Sequence, residues 1–440
     1  MGIKVCKFGG TSVADGIQLK KIKNIIQNDK SRRYVIVSAP GKRFSTDNKI
    51  TDLLYLCQKS VEHNIPYEQL FQVIIDRFEA IKNSIDSKVD LTDTFNYIRK
   101  KLDTGCSADY IASRGEHINA LIMADFLGYD FVDTKGLIIF EDGKLLLEET
   151  DKALKKELAK HERAVLPGFY GSTAENGKIQ TFTRGGSDIT GALVARAMGA
   201  EVYENWTDVS GFLMADPSIV ENPKPIDNVT YKELRELAYM GASVLHEDAI
   251  FPAKAAGIPI NIRNTNDVND KGTLITAEPL HDNNRIITGI AGSKDFAVIA
   301  IYKNMMSSEK GFIRRIFAIL DDMDIAFEHL PRGIDAVSVV VSREGLEGKE
   351  KDLLDSFKKQ LEPDSMEYYN DIALISTVGT GMGSKPGVAA KLLKALADSN
   401  INIRMIDQGS SEINITVAVQ DDDFENAIRA IYKSFDEEVK

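Results

Sequence analysis

The sequence predicts an α/β protein in two parts: a mostly parallel sheet between helices, followed by two small α+β modules. Short β-rich runs alternate with helical patterns over residues 1–290, and this order is typical of a parallel sheet covered on both faces. Residues 291–440 contain an internal repeat, in which each copy reads strand, helix, strand, strand. Because one short helix cannot bury its apolar stripe alone, each copy needs a sheet beside it.

The elements of the first part follow from hydrophobic spacing. Strands are predicted from apolar runs at Ile3–Val5, Tyr34–Ser38, Val165–Leu166, Val202–Asn205, Ile258–Ile262 and Leu274–Ile275. Helices are predicted over Asp15–Gln27, Leu53–Asn64, Tyr67–Ile85, Ser107–Leu127, Asp188–Met198 and Tyr231–Tyr239. Since ligands of such sheets bind where the carboxyl ends of the strands meet the loops, we expect the site at that edge.

The internal repeat aligns residues 311–320 with residues 387–396 without a gap. Its register predicts paired strands in the two copies at Val298–Tyr302 and Ile372–Val378, Ile325–Leu330 and Ile401–Ile406, and Val337–Val341 and Ile413–Val419. The glycine-rich segment 379–383 resembles a nucleotide-binding loop. However, Ser384 stands where a dinucleotide fingerprint needs glycine, so we interpret the segment as a connection.

Composition excludes several classes of protein. The length of 440 residues favours two to four domains, and the net charge of −12 argues against general binding to nucleic acids or anionic membranes. The three cysteines have no short spacing, so we expect a reducing compartment and no metal site. No apolar run approaches the ~20 residues that span a bilayer. No leader-like segment follows Met1, so we expect a cytoplasmic protein.

The segment Lys7–Ser12, of sequence Lys-Phe-Gly-Gly-Thr-Ser, follows the first predicted strand and precedes the first predicted helix. Glycines allow backbone N–H groups to approach a phosphate closely, and a helix N-terminus adds partial positive charge. Lys7 adds a full charge beside them. This order is typical of an anion cradle, although a tight turn beside a solvated lysine fits the residues equally well.

Five motifs in chain order, together with the duplicated C-terminal part, resemble the aspartokinases, which phosphorylate the β-carboxylate of aspartate. The motifs are Lys7–Ser12, Arg114–Glu116, Phe182–Asp188, Thr207–Asp208 with Gly211 and Asp216–Pro217, and Gly409–Ile415. The resemblance covers nearly the whole chain. It implies an amino-acid-kinase fold for residues 1–290 and two ferredoxin-like ACT modules. Residues 291–365 would be regulatory, and residues 366–440 regulatory or dimerising.

The resemblance also implies which residues hold the substrate, L-aspartate. Arg184 is expected to bind the α-carboxylate, which its planar guanidinium fits bidentately, and Glu116 the α-ammonium group. Further substrate-pocket positions are Ser38, Thr51, Phe169 and Ser187. Judged from the residues alone, Arg184 could be a surface arginine and Glu116 a solvated helix residue, and the others could be turn or core residues.

The expected chemistry needs no general base, because the β-carboxylate is already ionised at neutral pH. Lys7, the Gly9 and Gly10 amides and the Mg²⁺ carried on ATP are expected to neutralise charge in the transition state. Asp188 resembles the acidic residue that positions this lysine or the metal. Alternatively, it could cap a helix that begins at Ile189.

The resemblance assigns the base and ribose of the nucleotide to a loop that contains Thr207, Asp208, Leu213 and Asp216. Here the sequence departs from the family pattern. Leu213 stands where an aromatic residue is common, and Met214 where threonine is common. Ser243 occupies a position where a lysine usually helps to hold phosphates, and Lys254 is the nearby substitute that the sequence offers.

Six positions of the first ACT module match effector contacts: Ser308, Gly311, Phe312, Ile313, Glu328 and Asp335. Helix N-terminal amides at 311–313 would bind a carboxylate, and the two acids suit a diamino acid, so lysine is favoured over threonine. The resemblance further implies a homodimer or a dimer of dimers through the ACT modules. Two alternatives stay open: a kinase of the same fold acting on glutamate or N-acetylglutamate, and a non-catalytic amino-acid sensor.

Overall fold

The computed structural model describes residues 2–241, 247–280, 285–383 and 385–436. Its helices are α1 (Gly16–Gln27), α2 (Ile50–Glu62), α3 (Glu68–Ser84), α4 (Thr92–Asp103), α5 (Ala108–Leu127), α6 (Leu147–Leu158), α7 (Gly186–Met198), α8 (Tyr231–Tyr239), α9 (Glu247–Ala255), α10 (Phe312–Asp322), α11 (Arg343–Leu346), α12 (Glu350–Leu361), α13 (Val388–Asp398) and α14 (Phe424–Asp436). None of these described helices is long and apolar enough to cross a membrane.

The strands are β1 (Lys4–Phe8), β2 (Arg32–Val37), β3 (Asp130–Phe131), β4 (Ile139–Glu141), β5 (Lys144–Leu145), β6 (Ala164–Pro167), β7 (Tyr170–Thr173), β8 (Ile179–Thr181), β9 (Val202–Thr207), β10 (Phe212–Leu213), β11 (Pro225–Ile226), β12 (Asn228–Thr230), β13 (Ile260–Asn264), β14 (Thr273–Thr276), β15 (Gly289–Tyr302), β16 (Ala336–Ser342), β17 (Ser365–Val378), β18 (Met405–Asp407) and β19 (Asn414–Gln420). The described residues form two compact units. The first contains residues 2–212, 225–231 and 247–280, and the second contains 213–224, 232–241, 285–383 and 385–436.

An eight-stranded sheet with the order β12-β14-β13-β9-β1-β2-β6-β3 forms the centre of the first unit. The six strands from β13 to β3 are parallel to their neighbours, whereas β14 is antiparallel to β13. In this register Lys7 on β1 lies beside Ile36 on β2 and Asn205 on β9. The carboxyl ends of these strands therefore meet at one edge of the sheet.

Helices cover both faces of this sheet, as its apolar runs predict. One face packs on α1 to α5 through a buried cluster that includes Cys6, Phe8, Val35 and Val37. The neighbouring residue Lys7 points to the other face, where α7 lies against β1, β2 and β9. The predicted α/β class is confirmed.

The second unit has a five-stranded antiparallel sheet in the order β16-β15-β17-β19-β18. The predicted repeat is visible in α10 and α13, which have equal length and both follow a glycine at positive φ, Gly311 at 79° and Gly387 at 92°. Phe312 and Ile316 of α10 pack with β15, β16 and α12 in one core cluster. The division of the chain at residues 290 and 365 stays a prediction.

Two strand predictions in the repeat differ from the structure. Residues 325–330 form no strand, because only an isolated bridge from His329 to Val340 links them to β16, and Pro331 follows without an N–H to continue the ladder. Of the strand predicted at 401–406, only residues 405 and 406 lie in a strand, the short β18. The glycine-rich segment 379–383 joins β17 to α13 through a short 3₁₀ turn, in agreement with its interpretation as a connection.

Candidate active site

The candidate site of the first unit lies at the edge where the parallel strands end. Gly9 follows β1, Ser38 follows β2, Gly168 follows β6, and Thr207 is the last residue of β9. Adjacent strand ends are tied together, because the Ser38 N–H donates to the Phe8 carbonyl at 3.2 Å and the Gly168 N–H to the Val37 carbonyl at 3.0 Å. The sheet thus brings residues from distant parts of the chain into one cluster.

Lys7 is the central cation of this edge, and its partners are fixed by the sheet. Its Nζ lies 2.6 Å from Asp188 Oδ1 and 3.4 Å from Asn205 Oδ1. The Asn205 Nδ2 group donates to the same Asp188 oxygen at 2.7 Å. Lys7 is only 7% exposed, so its ammonium is held by two side chains in a largely dehydrated position. A charge fixed in this way needs little reorganisation when a negative charge develops beside it.

The glycine pair after β1 has a different role from the one expected. The Gly9 N–H, predicted to face a phosphate, donates to the Trp206 carbonyl at 3.0 Å. Gly10 lies against the loop after β2, where a Cβ on Gly41 would come within 2.6 Å of the Gly10 carbonyl carbon. Close approach of two backbones explains Gly10 and Gly41, whereas a Cβ on Gly9 would meet only ordinary contacts. Among the described residues, the Gly10 N–H has no hydrogen-bond partner and remains the candidate phosphate donor.

The N-terminus of α1 does not complete the expected cradle. The Asp15 side chain caps the helix, because its Oδ1 accepts from the Gln18 N–H at 2.9 Å. Ser12 is buried and its hydroxyl accepts from Thr265 Oγ1 at 2.8 Å. An acidic cap lowers the attraction of this helix end for an anion, so Lys7 provides the positive charge of the edge.

Asp188 lies in the first turn of α7 and is not its cap, so the alternative capping role was wrong. The helix begins at Gly186, and the preceding Gly185 has a φ of 58°, a left-handed conformation that favours glycine. A Cβ on Gly186 would lie 2.7 Å from the Phe169 ring, which explains the second glycine. Arg184 immediately precedes this pair and is exposed. The turn therefore holds Asp188 on Lys7 and leaves the Arg184 side chain accessible.

Glu116 is a buried carboxylate that lacks one partner. It lies on α5 and is 5% exposed, and its Oε2 is buried without a hydrogen-bond partner among the described residues. Burial raises the pKa of its carboxyl to about 7, against hydrogen bonds from the Ala39 backbone that lower it. Gly115 permits this position, because a Cβ there would meet the Ala39 Cβ at 2.7 Å. A buried oxygen that lacks a donor fits a ligand ammonium group.

The other predicted substrate residues form two groups. Ser38 lies next to the Ala39 that contacts Glu116, its carbonyl accepts from Asn119 Nδ2 at 2.7 Å, and Thr51 is the second residue of α2. Phe169 has a φ of 79°, unusual for a side chain of this size, and its N–H donates to Thr190 Oγ1 at 3.1 Å. Ser187 is buried against Gly168 in this second group.

The predicted nucleotide-loop residues are divided between the units. Thr207 ends β9 and hydrogen bonds to Asp208 at 3.2 Å in the first unit. Leu213 and Asp216 belong to the second unit, where the Asp216 carboxylate accepts from the Ser218 N–H at 2.8 Å. Ser243 lies outside the described residues, and Lys254 is exposed on α9. The nucleotide role of this loop stays a prediction.

Sequence reasoning missed Asn205, which bridges Lys7 and Asp188. Its signal was a polar residue in the middle of a buried parallel strand. Glu204 and Trp206 flank it and point to the opposite face, where the Glu204 carboxylate accepts from Arg32 Nε at 2.8 Å and from Trp206 Nε1 at 2.9 Å. This buried network fixes β9 against β1 and β2 directly before the site.

The predicted effector residues lie in the second unit. The Glu328 carboxylate accepts a short hydrogen bond from the Tyr239 hydroxyl of α8. Gly311 is the N-cap residue of α10. The Phe312 side chain is buried in the core, and the Ile313 side chain is partly buried. Ser308 and Asp335 are exposed. The Phe312 side chain is therefore not available to an effector, and its N–H already donates to the Glu309 carbonyl at 3.4 Å.

Comparison with known proteins defines the class. A model of the amino acid kinase family matches residues 2–264, more than half of the chain, and an ACT domain model matches residues 375–435. The chain belongs to the amino acid kinase family. It is 34% identical to aspartokinase 3 of Bacillus subtilis, over 98% of each chain. Within the family, it therefore belongs to the aspartokinases.

Solved structures agree with this assignment. The aspartate kinase of Clostridium acetobutylicum is 49% identical, with a TM-score of 0.92 over 99% of this chain and 100% of that chain. Escherichia coli aspartokinase III, in complex with aspartate and ADP, is 25% identical, with a TM-score of 0.71 over 98% of this chain and 99% of that chain. The motifs predicted an aspartokinase with the amino-acid-kinase fold, and both predictions are confirmed.

Proposed function

We propose that this chain transfers the γ-phosphoryl group of MgATP to the β-carboxylate of L-aspartate, giving 4-phospho-L-aspartate and ADP. The observation that carries the proposal is Lys7, buried at the ends of parallel strands and held by Asp188 at 2.6 Å. Family membership and the E. coli relative that binds aspartate and ADP support the same substrates.

In this mechanism Lys7 neutralises the charge that develops between the carboxylate nucleophile and the phosphoryl group. Asp188 and Asn205 hold its ammonium in place. Of the two glycine amides after β1, that of Gly10 is the one available to a phosphate oxygen. The Mg²⁺ enters with ATP as part of the substrate.

Two charges recognise aspartate as a free amino acid. The unpartnered Oε2 of Glu116 accepts from its α-ammonium group, and the exposed Arg184 guanidinium clamps its α-carboxylate. Ser38, Thr51, Phe169 and Ser187 shape the pocket around them. Binding both ends leaves the β-carboxylate to face the phosphoryl group.

Regulation by an end-product amino acid completes the proposal, with lysine as the favoured effector and threonine as the alternative. Glu328 and Asp335 supply two carboxylates for the two ammonium groups of lysine. The effector would bind in the ACT module at 291–365. Association of ACT modules into a homodimer, or a dimer of dimers, would couple the copies.

The test is ADP release from MgATP with aspartate, glutamate or N-acetylglutamate, each with and without millimolar lysine. Aspartate-dependent release that lysine suppresses is the expected result. Release insensitive to lysine would retain the kinase and overturn the effector. Release with glutamate or N-acetylglutamate alone would move the enzyme to a sister kinase. Lysine binding without any release would indicate an amino-acid sensor.

A further inference from the structure

A cavity of about 750 Å³ in the first unit is lined by none of the substrate residues assigned above. Helices α4 and α5 form one side, and residues 133–135 with the turn between β7 and β8 form the other. Its volume is within the range of small-molecule sites. Its charged lining residues are the cations Lys101, Arg114, Lys135 and Lys178 and the acids Asp93 and Asp133.

Arg114 is the informative residue of this cavity, because it is 7% exposed and has no acidic partner within 4.0 Å among the described residues. Its Nε and Nη2 donate to Ser113 Oγ at 3.1 and 2.9 Å, and no described group accepts from Nη1. The guanidinium lies between the rings of Tyr110 and Tyr170, at 4.7 and 5.4 Å from their centroids. A buried cation without a directly paired acid gains from binding an anion.

One of the two acids that line the cavity, Asp133, already has hydrogen-bond partners. Asp133 Oδ1 accepts from the Tyr170 hydroxyl at 2.9 Å and from the Lys135 N–H at 3.0 Å. His117, which also lines the cavity, carries no negative charge that could pair with Arg114. The Tyr110 hydroxyl is buried and has no hydrogen-bond partner within the described part of the chain, so it adds an unused polar group beside Arg114.

We propose that this cavity is a second anion site, which binds a small metabolite with two or more negative charges, carried as phosphate or carboxylate groups. Arg114 faces the anion from the buried end. Lys135 and Lys178 are exposed at its rim and form no ion pair within the described residues, so they attract the ligand from solvent. Tyr97 and Ile98 provide apolar contact for the rest of the molecule.

Cys106 provides a readout confined to this cavity. It lines the cavity and is half-buried, whereas Cys6 and Cys57 are fully buried. Alkylation of native protein by uncharged iodoacetamide should therefore occur at Cys106, and C106S should remove it. We expect pyrophosphate or citrate, at ten times its dissociation constant, to slow this alkylation about tenfold at constant ionic strength.

Two matched double variants test the location of the site. K135A/K178A removes two rim charges and should raise the anion concentration that half-protects Cys106 from alkylation by at least about tenfold. K152A/K156A removes two exposed lysines of α6 and should leave that concentration unchanged. Protection by pyrophosphate alone identifies a phosphate ligand, and protection by citrate alone a polycarboxylate. No protection by either anion, or equal protection in both double variants, would overturn the site. The assay involves no kinase turnover, so its outcome is separate from that of the proposed function.

Discussion

The Asn205 side-chain amide donates to Asp188 Oδ1 at 2.7 Å, and the same oxygen lies 2.6 Å from Lys7 Nζ. The three side chains come from β9, α7 and β1, and the parallel register places Lys7 directly beside Asn205. The amide therefore orients the carboxylate, and the carboxylate orients the ammonium group. This arrangement fixes one positive charge at the strand ends.

Removal of that charge should stop most of the phosphoryl transfer. K7A is expected to lower kcat by several hundred-fold, because one preorganised charge in a dry site contributes about 3–4 kcal/mol to transition-state stabilisation. K156A, on the exposed surface of α6, is the matched control and should be unchanged. Steady-state ADP release measures both variants, and near-normal turnover by K7A would remove Lys7 from the mechanism.

Asn205 should act through Asp188, as a positioning residue. N205A is expected to lower kcat by about tenfold with little change in the KM for aspartate, because Lys7 keeps its ion pair but loses its bridge. A change confined to KM would instead place Asn205 in substrate binding. The kcat and KM of this variant, measured at saturating MgATP, separate the two roles.

Glu116 predicts how aspartate binding depends on pH. Its carboxyl has a pKa of about 7 because it is buried, and only the ionised form attracts the α-ammonium group. The KM for aspartate should therefore rise about fivefold between pH 7 and pH 6, with a smaller effect on kcat. The profile is measured from initial rates at saturating MgATP. A KM that is flat over this range would separate Glu116 from substrate binding.

Because the Glu116 carboxyl is buried, replacing it with a neutral side chain should stabilise the folded protein at high pH. With a folded-state pKa of about 7, above the ordinary value of 4.5, ionised Glu116 costs stability. The cost begins as pH rises through the unfolded value and is complete above pH 7. E116Q should therefore raise the melting temperature by about 3 °C at pH 8 and leave it nearly unchanged at pH 4.5. Equal shifts at both pH values would assign the effect to packing.

Tyr239 and Glu328 predict a change in effector sensitivity. The hydroxyl donates to the Glu328 carboxylate, and this hydrogen bond raises the pKa of Tyr239 to about 12. An effector ammonium group must share or displace that hydroxyl. Y239F should therefore lower the lysine concentration for half-inhibition about threefold, and E328A should relieve inhibition, both with nearly normal uninhibited turnover. Overlapping inhibition curves for all three proteins would place the effector elsewhere.

Local pattern was enough to predict six of the eight strands of the large sheet, but not α4, α6 or the sheet β5-β4-β7-β8. Helices α1 to α3 and α5 follow from apolar spacing, and β2 and β9 from continuous apolar runs, because burial on both faces leaves that pattern in the sequence. Motif resemblance placed Lys7 and Asp188 in one site. Their contact is set by strand order, which a local pattern does not contain.

The errors have equally physical causes. The Gly9 amide pairs with Trp206, a contact across the sheet that the turn sequence does not reveal. Helix α7 begins before Asp188, because Gly185 takes the left-handed conformation that starts it and Gly186 packs closely on Phe169. The strand expected at 325–330 depended on an alignment between the repeats, and Pro331 interrupts its ladder. The burial of Glu116 depends on the Gly115 contact with Ala39.

The most direct test of the account measures formation of the acyl phosphate by the wild-type enzyme and by K7A, each with MgATP and aspartate. Hydroxylamine traps the acyl phosphate as the β-hydroxamate of aspartate. The account predicts aspartate-dependent hydroxamate in the wild type and several hundred-fold less in K7A, in step with ADP release. ADP release without hydroxamate, or equal hydroxamate from both proteins, would contradict phosphoryl transfer to the β-carboxylate at Lys7.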